Sequence, residues 1–241
     1  MLRPVALALG FVVVAGGCMS ETVTPTDLPR YLTSGDCPGE EQAVADPSLK
    51  KGGPLEGDVN GDGASDEVFL VKAKGDPDCS NFLVVDVGSA VFSTPLASEG
   101  GGLDLGLPFL KGLAQIDGRP GDEVYATVLT GASTEFLSVF STGSGKLERL
   151  EAEGSYGPLF PSGASAAHAE ATDCRAGKGR IVVETATRTD PIGWNVRWSY
   201  FRFDGESFVR DETATSTDPV GIRRDPTFKH TPFGSCATSS A

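Results

Sequence analysis

Three blocks of similar pattern restrict the folds that this 241-residue chain can adopt. They cover about 57–97, 114–153 and 171–214. In each block a turn leads into an apolar strand, a loop leads into a second strand, and a glycine turn leads into a third. The tripeptide Asp66-Glu67-Val68 recurs as Asp122-Glu123-Val124 at an offset of 56 residues. Such repetition is typical of architectures in which stacked units share a core, because one unit cannot bury its apolar face alone.

Strand and turn signals within the blocks favour antiparallel pairing. The second strands are NFLVVDV, EFLSVFS and VRWSYFRF, and tight turns follow them at Gly88-Ser89, Gly143-Ser144-Gly145 and Asp204-Gly205. Asp-Gly is a hairpin signal because the turn needs residues that tolerate positive φ. The 31 glycines and 16 prolines also indicate many turns between short strands. We therefore expect an all-β fold of repeated antiparallel meanders, each with three to four strands.

The number of blocks leaves two arrangements open. An ordinary closed propeller has about four to eight blades, and three blocks are fewer than that. Either the flanking segments complete further blades and the domain is propeller-like, or the sheets pack as a compact pseudo-symmetric β-domain. We expect the whole β-repeat domain to span 37–236 and to be followed by a short tail at 237–241.

The N-terminus has the layout of a bacterial export signal. Arg3 gives a short positive region, Val5–Val14 form an apolar run, and three small residues precede Cys18. The run is too short for a comfortable membrane span. A cysteine directly after small residues resembles the lipobox of bacterial lipoproteins, and this resemblance implies that Cys18 is diacylated and becomes the mature N-terminus. The alternative is an ordinary signal peptide that is followed by a chance cysteine.

These features predict a location outside the cytoplasm. We expect residues 1–17 to be cleaved as a signal peptide, and 18–36 to form the lipidated N-terminus and a tether rich in Thr, Ser, Pro and acidic residues. The protein would then be a surface lipoprotein of a Gram-positive-type bacterium, lipid-anchored on the outer face of the cytoplasmic membrane. Its lipid anchor would be its one contact with the membrane.

The remaining cysteines suggest disulfides. Besides Cys18 there are four, an even number, and in an exported protein they allow two disulfides with three possible pairings. None lies in a C-x-x-C pair, so a redox or zinc role has no local support. We favour the neighbour pairing Cys37–Cys79 and Cys174–Cys236. The pairing Cys37–Cys236, which would tie the two ends of the domain together, is its main competitor.

The stretch DVNGDGASDEV at 58–68 is the most concentrated set of candidate metal ligands. Asp58, Asn60, Asp62 and Asp66 follow one another at a spacing that suits calcium, which takes about six to eight oxygen ligands from a loop that curls around it. An EF-hand is excluded. An apolar residue stands where its bidentate glutamate is needed, and a strand follows instead of a helix.

This stretch resembles the calcium loop of FG-GAP and VCBS repeats, the blades of integrin-α-like propellers that also occur in secreted bacterial proteins. In those repeats the pattern D-x-[DN]-x-D-G-x-x-D lies in a turn that leads into a strand, as here. The resemblance implies one structural Ca²⁺ bound by Asp58, Asn60, Asp62, Asp66 and the Ala64 carbonyl, in a non-catalytic binding or structural module. The competing interpretation is a solvated cluster of Asx turns, since Asp, Asn and Gly are ordinary turn residues.

The other two blocks indicate that the same turn forms without metal. In an ungapped comparison at the offset of 56 residues, Ala114, Ile116 and Gly118 stand where the first block has its first three ligands. The third block has Cys174 and Arg175 in this region. We therefore expect at most one strongly bound Ca²⁺, which stabilises the entry to the first strand.

Charge and motif content narrow the function classes. The formal net charge of −13 gives no basic footprint for nucleic acid. The chain has only two histidines, His168 and His230, and neither lies near a nucleophile motif. We expect a protein that is not an enzyme and that binds or scaffolds a protein or glycan ligand, which the sequence does not identify.

Two alternative functions stay open. The 33 acidic residues could supply the paired carboxylates of a cell-envelope hydrolase, and an open groove with two carboxylates away from the calcium loop would favour it. Trp194, Trp198, Tyr200 and Phe201 could instead form a carbohydrate-binding patch, although aromatic residues on a central strand are more often core. An exposed Trp194 or Trp198 would favour that second alternative.

Overall fold

The architecture is given by a computed structural model. It describes residues 35–74, 77–96, 108–131, 133–154, 159–165, 167–175, 180–188, 194–216 and 231–240. The predicted signal peptide, Cys18, most of the predicted tether and His230 lie outside these ranges. No helix within them is long and apolar enough to cross a membrane.

Strands are the main secondary structure of the described part of the chain, so the all-β prediction is confirmed. It contains one short helix, α1 (Glu40–Ala45), and two 3₁₀ turns, Pro47–Leu49 and Pro77–Cys79. The strands are β1 (Lys50–Gly57), β2 (Asp66–Lys72), β3 (Asn81–Asp86), β4 (Val91–Pro95), β5 (Phe109–Ala114), β6 (Glu123–Thr130), β7 (Thr134–Ser141), β8 (Glu148–Arg149), β9 (Glu151–Ala152), β10 (Phe160–Ala164), β11 (His168–Cys174), β12 (Arg180–Arg188), β13 (Trp194–Phe203), β14 (Ser207–Ser216) and β15 (Ala237–Ser240). The predicted second strands of the blocks correspond to β3, β7 and β13.

A four-stranded antiparallel sheet contains the first block, in the order β1-β2-β3-β4. Successive side chains of a strand point to opposite faces, so β2 directs Val68 and Leu70 into one core and Phe69 and Val71 into another. The first of these cores includes buried residues of β5 and β6, and the second includes Ala43 of α1. Both faces of this sheet therefore carry buried apolar side chains.

The second and third blocks share one larger sheet. Its strands follow the order β15-β5-β6-β7-β10-β11-β12-β13-β14-β9, and β8 pairs with β7 beside this path. Strand β7 joins the two blocks because its C-terminal end pairs with β8 and its N-terminal part pairs with β10. The short β9 pairs with β14 in parallel, whereas the other pairings of the described residues are antiparallel. In those residues the blocks form two sheets and not a ring of separate blades.

An aromatic core joins blocks two and three to the C-terminal segment. Phe160 makes edge-to-face contacts with Phe201, Phe208 and Phe233, at distances of 5.7–6.4 Å between ring centroids. Tyr125 packs against Phe233 at 5.1 Å. Phe233 is fully buried, so the segment just before the C-terminus is a part of the core.

The last residues form a strand, and the prediction of a tail at 237–241 is corrected accordingly. Strand β15 pairs antiparallel with β5 at the edge of the larger sheet. Its Thr238 Oγ1 also donates a hydrogen bond to Asp122 Oδ2 at 2.9 Å. The small polar residues of β15 carry no strand signal of their own, and pairing in such a case follows from tertiary context. The β-domain therefore extends to Ser240.

Two disulfides are present, Cys37–Cys79 and Cys174–Cys236, with Cα atoms 5.4 Å and 5.8 Å apart. This is the neighbour pairing that we favour from the sequence, and the competing pairing Cys37–Cys236 is not formed. Cys37 and Cys79 pack in the core beside α1, and Cys174 and Cys236 pack at the aromatic core. Structural disulfides persist in oxidising compartments, so this pair indicates a location outside the cytoplasm.

Candidate functional site

The first turn, residues 58–65, links β1 to β2 and begins with the predicted ligand Asp58. Its carboxylate accepts the Gly61 amide on Oδ1 at 2.8 Å and the Gly63 amide on Oδ2 at 2.9 Å. Gly61 and Gly63 have φ values of 77° and 87°, which residues with a side chain adopt only with strain. The glycines thus let the backbone curl around the Asp58 carboxylate.

Asn60 and Asp62 interlock further along the same turn. The Asp62 amide donates to Asn60 Oδ1 at 2.9 Å, and the Asn60 side-chain amide donates to Asp62 Oδ2 at 3.0 Å. The Ala64 amide donates to Asp62 Oδ1 at 2.7 Å. This bond and then the one from Asn60 lower the pKa of the exposed Asp62 carboxyl. Asp62 is therefore held as an exposed anion.

Asp66 anchors the turn from the first position of β2. It is only 3% exposed, and its Oδ2 accepts the amides of Val59 at 2.8 Å and Asn60 at 3.1 Å. The carboxylate therefore satisfies backbone donors that the turn would otherwise leave buried and unpaired. In this structure Asp66 acts on the backbone of the turn.

These contacts bear differently on the five predicted calcium ligands. Asp58, Asn60 and Asp62 lie in one tight turn. Ala64, whose carbonyl is the predicted ligand, contacts Asp62 through its backbone amide. The Asp66 carboxylate is directed at backbone amides of the turn. Among the described residues, no group of three or more His, Cys, Asp or Glu side chains is arranged to hold a metal ion. Calcium binding at this turn stays a prediction.

The second turn, residues 115–122, links β5 to β6 and has the same anchor. Glu123 begins β6, is 2% exposed, and its Oε2 accepts the amides of Ile116 at 2.6 Å and Asp117 at 3.0 Å. In both turns the carboxylate binds the amides seven and six residues before it. The equivalent residues are therefore Asp66 and Glu123, at an offset of 57.

This equivalence corrects the alignment of the two turns. The offset of 56 that the recurring tripeptide suggests is wrong by one residue, because it pairs Asp66 with Asp122 and not with Glu123. At the structural offset Asp117 corresponds to Asn60, and Arg119 corresponds to Asp62. Gly118 corresponds to Gly61, and both have left-handed φ values, 80° and 77°.

Arg119 pairs with Asp117 inside the second turn. Its amide donates to Asp117 Oδ1 at 2.7 Å, its Nε donates to Oδ2 at 2.6 Å, and a terminal guanidinium nitrogen contacts the same Oδ2. The guanidinium also donates to Ser141 Oγ at 3.1 Å and lies 4.6 Å from the ring centroid of Phe203. The second turn thus contains its own positive charge, and this charge reaches toward the third block.

Burial changes the acidity of the second anchor. It raises the pKa of Glu123 to about 8, and the charge of the neighbouring Asp117 is the second cause. The Asp117 side chain is fully buried as well. Glu123 therefore binds its two amides largely as a neutral acid at neutral pH.

The two turns pack directly against each other. The Asp122 amide donates to the Asp58 carbonyl at 2.7 Å. A Cβ on Gly61 would lie 2.7 Å from the Pro120 carbonyl, and one on Gly121 would lie 2.7 Å from the Val59 carbonyl. Burial and then the charge of Asp58 raise the pKa of Asp122. Negative charge from both turns therefore accumulates at this junction.

The other residues singled out in the sequence lie elsewhere. Trp194 and Trp198 are partly buried and pack against Ala169, Ala186 and Val196, which does not favour the exposed aromatic patch. His168 meets Ser165 Oγ through Nδ1 at 2.7 Å and Thr134 Oγ1 through Nε2 at 3.3 Å. Each ring nitrogen of His168 therefore contacts a hydroxyl group. Neither contacts a carboxylate of the kind that orients a catalytic histidine.

Sequence reasoning missed the anchoring role of Glu123 and the ion pair of Arg119. Both roles appear only when the two turns are aligned on the buried carboxylate that begins the strand, and this alignment depends on the hydrogen bonds of Glu123. The charge reversal from Asp62 to Arg119 then becomes visible in the sequence.

Comparisons of the chain with protein-family models, with curated proteins and with solved structures find no match.

Proposed function

We propose that this chain is an exported, non-catalytic binding or scaffolding module, anchored by lipid on Cys18 and stabilised by one Ca²⁺ in its first turn. The export-signal layout and the disulfide pair support a role outside the cytoplasm. The resemblance of 58–66 to the calcium loop of FG-GAP and VCBS repeats supports the metal. The observation that carries the proposal is the contrast between the two turns.

The first turn offers oxygen donors of the type that a hard cation prefers. Each oxygen of Asp58 accepts one amide, as does Oδ1 of Asp62, and a carboxylate oxygen has a second lone pair for a further partner. A set made only of oxygen donors favours calcium over softer metals. When bound, the ion would neutralise the charge of Asp58 and Asp62. It would also reduce the repulsion between Asp58 and the neighbouring Asp122.

The second turn supplies the comparison. It has the same anchor and the same glycine, but Arg119 provides the positive charge at the place of Asp62. The second turn thus contains the positive charge of Arg119 beside its acidic groups, whereas the first turn has acidic groups and no such charge. We infer that the first turn takes its cation from solution.

The same correspondence supports a repeat architecture. We propose that the three blocks are related units in a compact, pseudo-symmetric β-domain, in which the second and third units have merged through β7 and β10. The recurrence of the anchored turn at an offset of 57 residues supports this, as do the antiparallel connections β1–β4, β5–β8 and β11–β14.

Thermal unfolding of the chain from residue 19, with calcium or with chelator, tests the metal. Extracellular loops of this type bind with Kd of about 10⁻⁴–10⁻³ M, so millimolar calcium should stabilise the fold by about 1–2 kcal/mol. For a chain of this size that raises Tm by a few degrees. The shift should disappear in Asp62→Ala.

Asp204→Ala is the matched control, because the exposed Asp204 also accepts backbone amides in a turn, those of Glu206 and Ser207. It should keep the calcium shift. Coinciding curves for the unmodified chain with calcium and with chelator would contradict the proposal and leave the first turn as a solvated Asx cluster.

A further inference from the structure

A groove of about 690 Å³ lies on one face of the larger sheet, away from the two turns. Strands β11, β12 and β13 form it with alternating residues, among them Glu170, Thr185 and Arg197, which stand side by side in the register of the sheet. Segments 152–154 and 159–161 also line it. Small-molecule sites commonly have volumes of about 300–1,000 Å³, so the groove is large enough for such a ligand.

The groove lies on the face of the sheet opposite the tryptophans. Arg197, Ser199 and Phe201 line it from β13, whereas Trp194 and Trp198 alternate with them and point to the other face. Any glycan bound here would therefore meet polar side chains on the strands and not a tryptophan platform.

Two arginines of the groove have no acidic partner in the part of the chain that the structure describes. Arg197 is exposed and takes part in none of the ion pairs among the described residues, although the chain has a net charge of −13. Arg210 is also exposed, and its guanidinium lies 5.7 Å from the ring centroid of Phe201. Guanidinium groups that form no ion pair with the described acidic residues can bind an anion from outside.

Among the described residues, the acidic groups of the groove form no ion pair with these two arginines. Glu153 uses Oε2 to accept the backbone amide of Arg210 at 3.0 Å. Glu170 is separated from Arg197 by β12, which puts the two backbones about 10 Å apart. His168 holds hydroxyl groups at both of its nitrogens. Charged side chains of both signs and hydroxyl groups therefore line the groove together.

We propose that this groove binds an acidic saccharide, through its carboxylate or phosphate groups at Arg197 and Arg210 and through its hydroxyl groups at Glu170, Thr185 and Ser199. Arginine binds both kinds of anion in a bidentate manner. The two arginines stand about four residues apart along the sheet, or about 13 Å, which suits a saccharide with more than one charged group. This inference rests on the proposed binding function and names its ligand class.

Isothermal titration calorimetry with the chain from residue 19 tests the proposal. The probes are digalacturonate for carboxylates, glucose 1,6-bisphosphate for phosphates, and lactose as the neutral comparison. At least one acidic probe should bind about tenfold or more tightly than lactose, and its affinity should fall as salt is raised. Equal or undetectable binding of all three would overturn the proposal.

Variants assign the binding to the groove. Arg197→Ala and Arg210→Ala should each weaken the acidic probe by about tenfold. Arg202→Ala removes the same charge from an exposed residue of β13 on the opposite face, and it should bind as the unmodified chain does. Unchanged affinity in both groove variants, with circular dichroism spectra that show an intact fold, would overturn the assignment.

The titration also separates this inference from the proposed calcium role. It is repeated in chelator and with Asp62→Ala. Saccharide binding without a calcium shift in Tm supports the groove and contradicts the calcium turn. A calcium shift without saccharide binding overturns the ligand class and leaves the calcium turn standing.

Discussion

The first and second turns share one pattern of backbone hydrogen bonds and differ in the charge of the residue at the tip. In each, a buried carboxylate at the start of a strand binds the amides seven and six residues earlier. In the second turn Arg119 neutralises Asp117, whereas the first turn has the exposed Asp62 at the place of the arginine. The comparison teaches that the buried anchor gives both turns the same backbone hydrogen bonds, whereas the residue at the tip determines the charge of the turn.

The largest expected effect comes from removing the shared feature. Asp66→Ala and Glu123→Ala each delete the acceptor of two amides, at least one of them buried, and each should lower the free energy of unfolding by about 3–5 kcal/mol. Chemical denaturation measures this loss. The adjacent Glu67→Ala is the control, because Glu67 makes only an exposed ion pair with Lys50, and its loss should cost less than about 1 kcal/mol. Equal losses in all three would break the comparison.

The second prediction concerns the pH dependence of stability that the anchor Glu123 causes. The folded-state pKa of Glu123, about 8, lies above its ordinary value of 4.5. The folded state therefore holds more protons than the unfolded state between these values, and stability should fall as pH rises from about 4.5 to 8. Glu123→Gln keeps an acceptor without a charge and should remove about 2–4 kcal/mol of this decline. Denaturation midpoints at pH 5 and pH 8.5 measure it, and parallel pH profiles of the two proteins would contradict the neutral anchor.

The smallest effect tests the tips of the turns. Asp62→Arg gives the first turn the residue of the second, so the stabilisation by calcium, about 1–2 kcal/mol, should vanish. Glu56→Arg makes the same charge change at an exposed residue outside the turn and should retain it. The measurement is Tm with calcium and with chelator. A full calcium shift in Asp62→Arg would show that the tip does not select the cation.

The sequence was sufficient to predict the strands that carry their own signal. β3, β7 and β13 lie within a residue or two of the predicted second strands, because their apolar and aromatic residues favour a half-buried pleat. The turn at 58–65 also follows from local pattern, whereas the sequence favoured the neighbour pairing of the cysteines but left Cys37–Cys236 open. β10 and β15 could not be predicted in this way, because Pro161, Gly163 and the small polar residues of β15 form strands only against partners far away in the chain.

The candidate site was predictable to a similar extent. Its acidic residues are plain in the sequence, since they are adjacent and match a known loop pattern. The contact between the two turns is different in kind, because it joins Asp58 to Asp122 and Gly61 to Pro120 across two sheets. The one-residue correction of the offset also needed the hydrogen bonds of Glu123. The recurring tripeptide gives more identical residues at the offset of 56 than the structure-based offset of 57 does.

The position of residues 233–240 has a consequence for the order in which the two sheets can be completed. Phe233 fills the aromatic core, Cys236 closes a disulfide to Cys174, and β15 completes the edge of the larger sheet beside β5. The first sheet is made of β1–β4 alone, so all of its strands lie within residues 50–95. The larger sheet, by contrast, is complete only when residues 233–240, which are far from most of its strands in sequence, have packed against it.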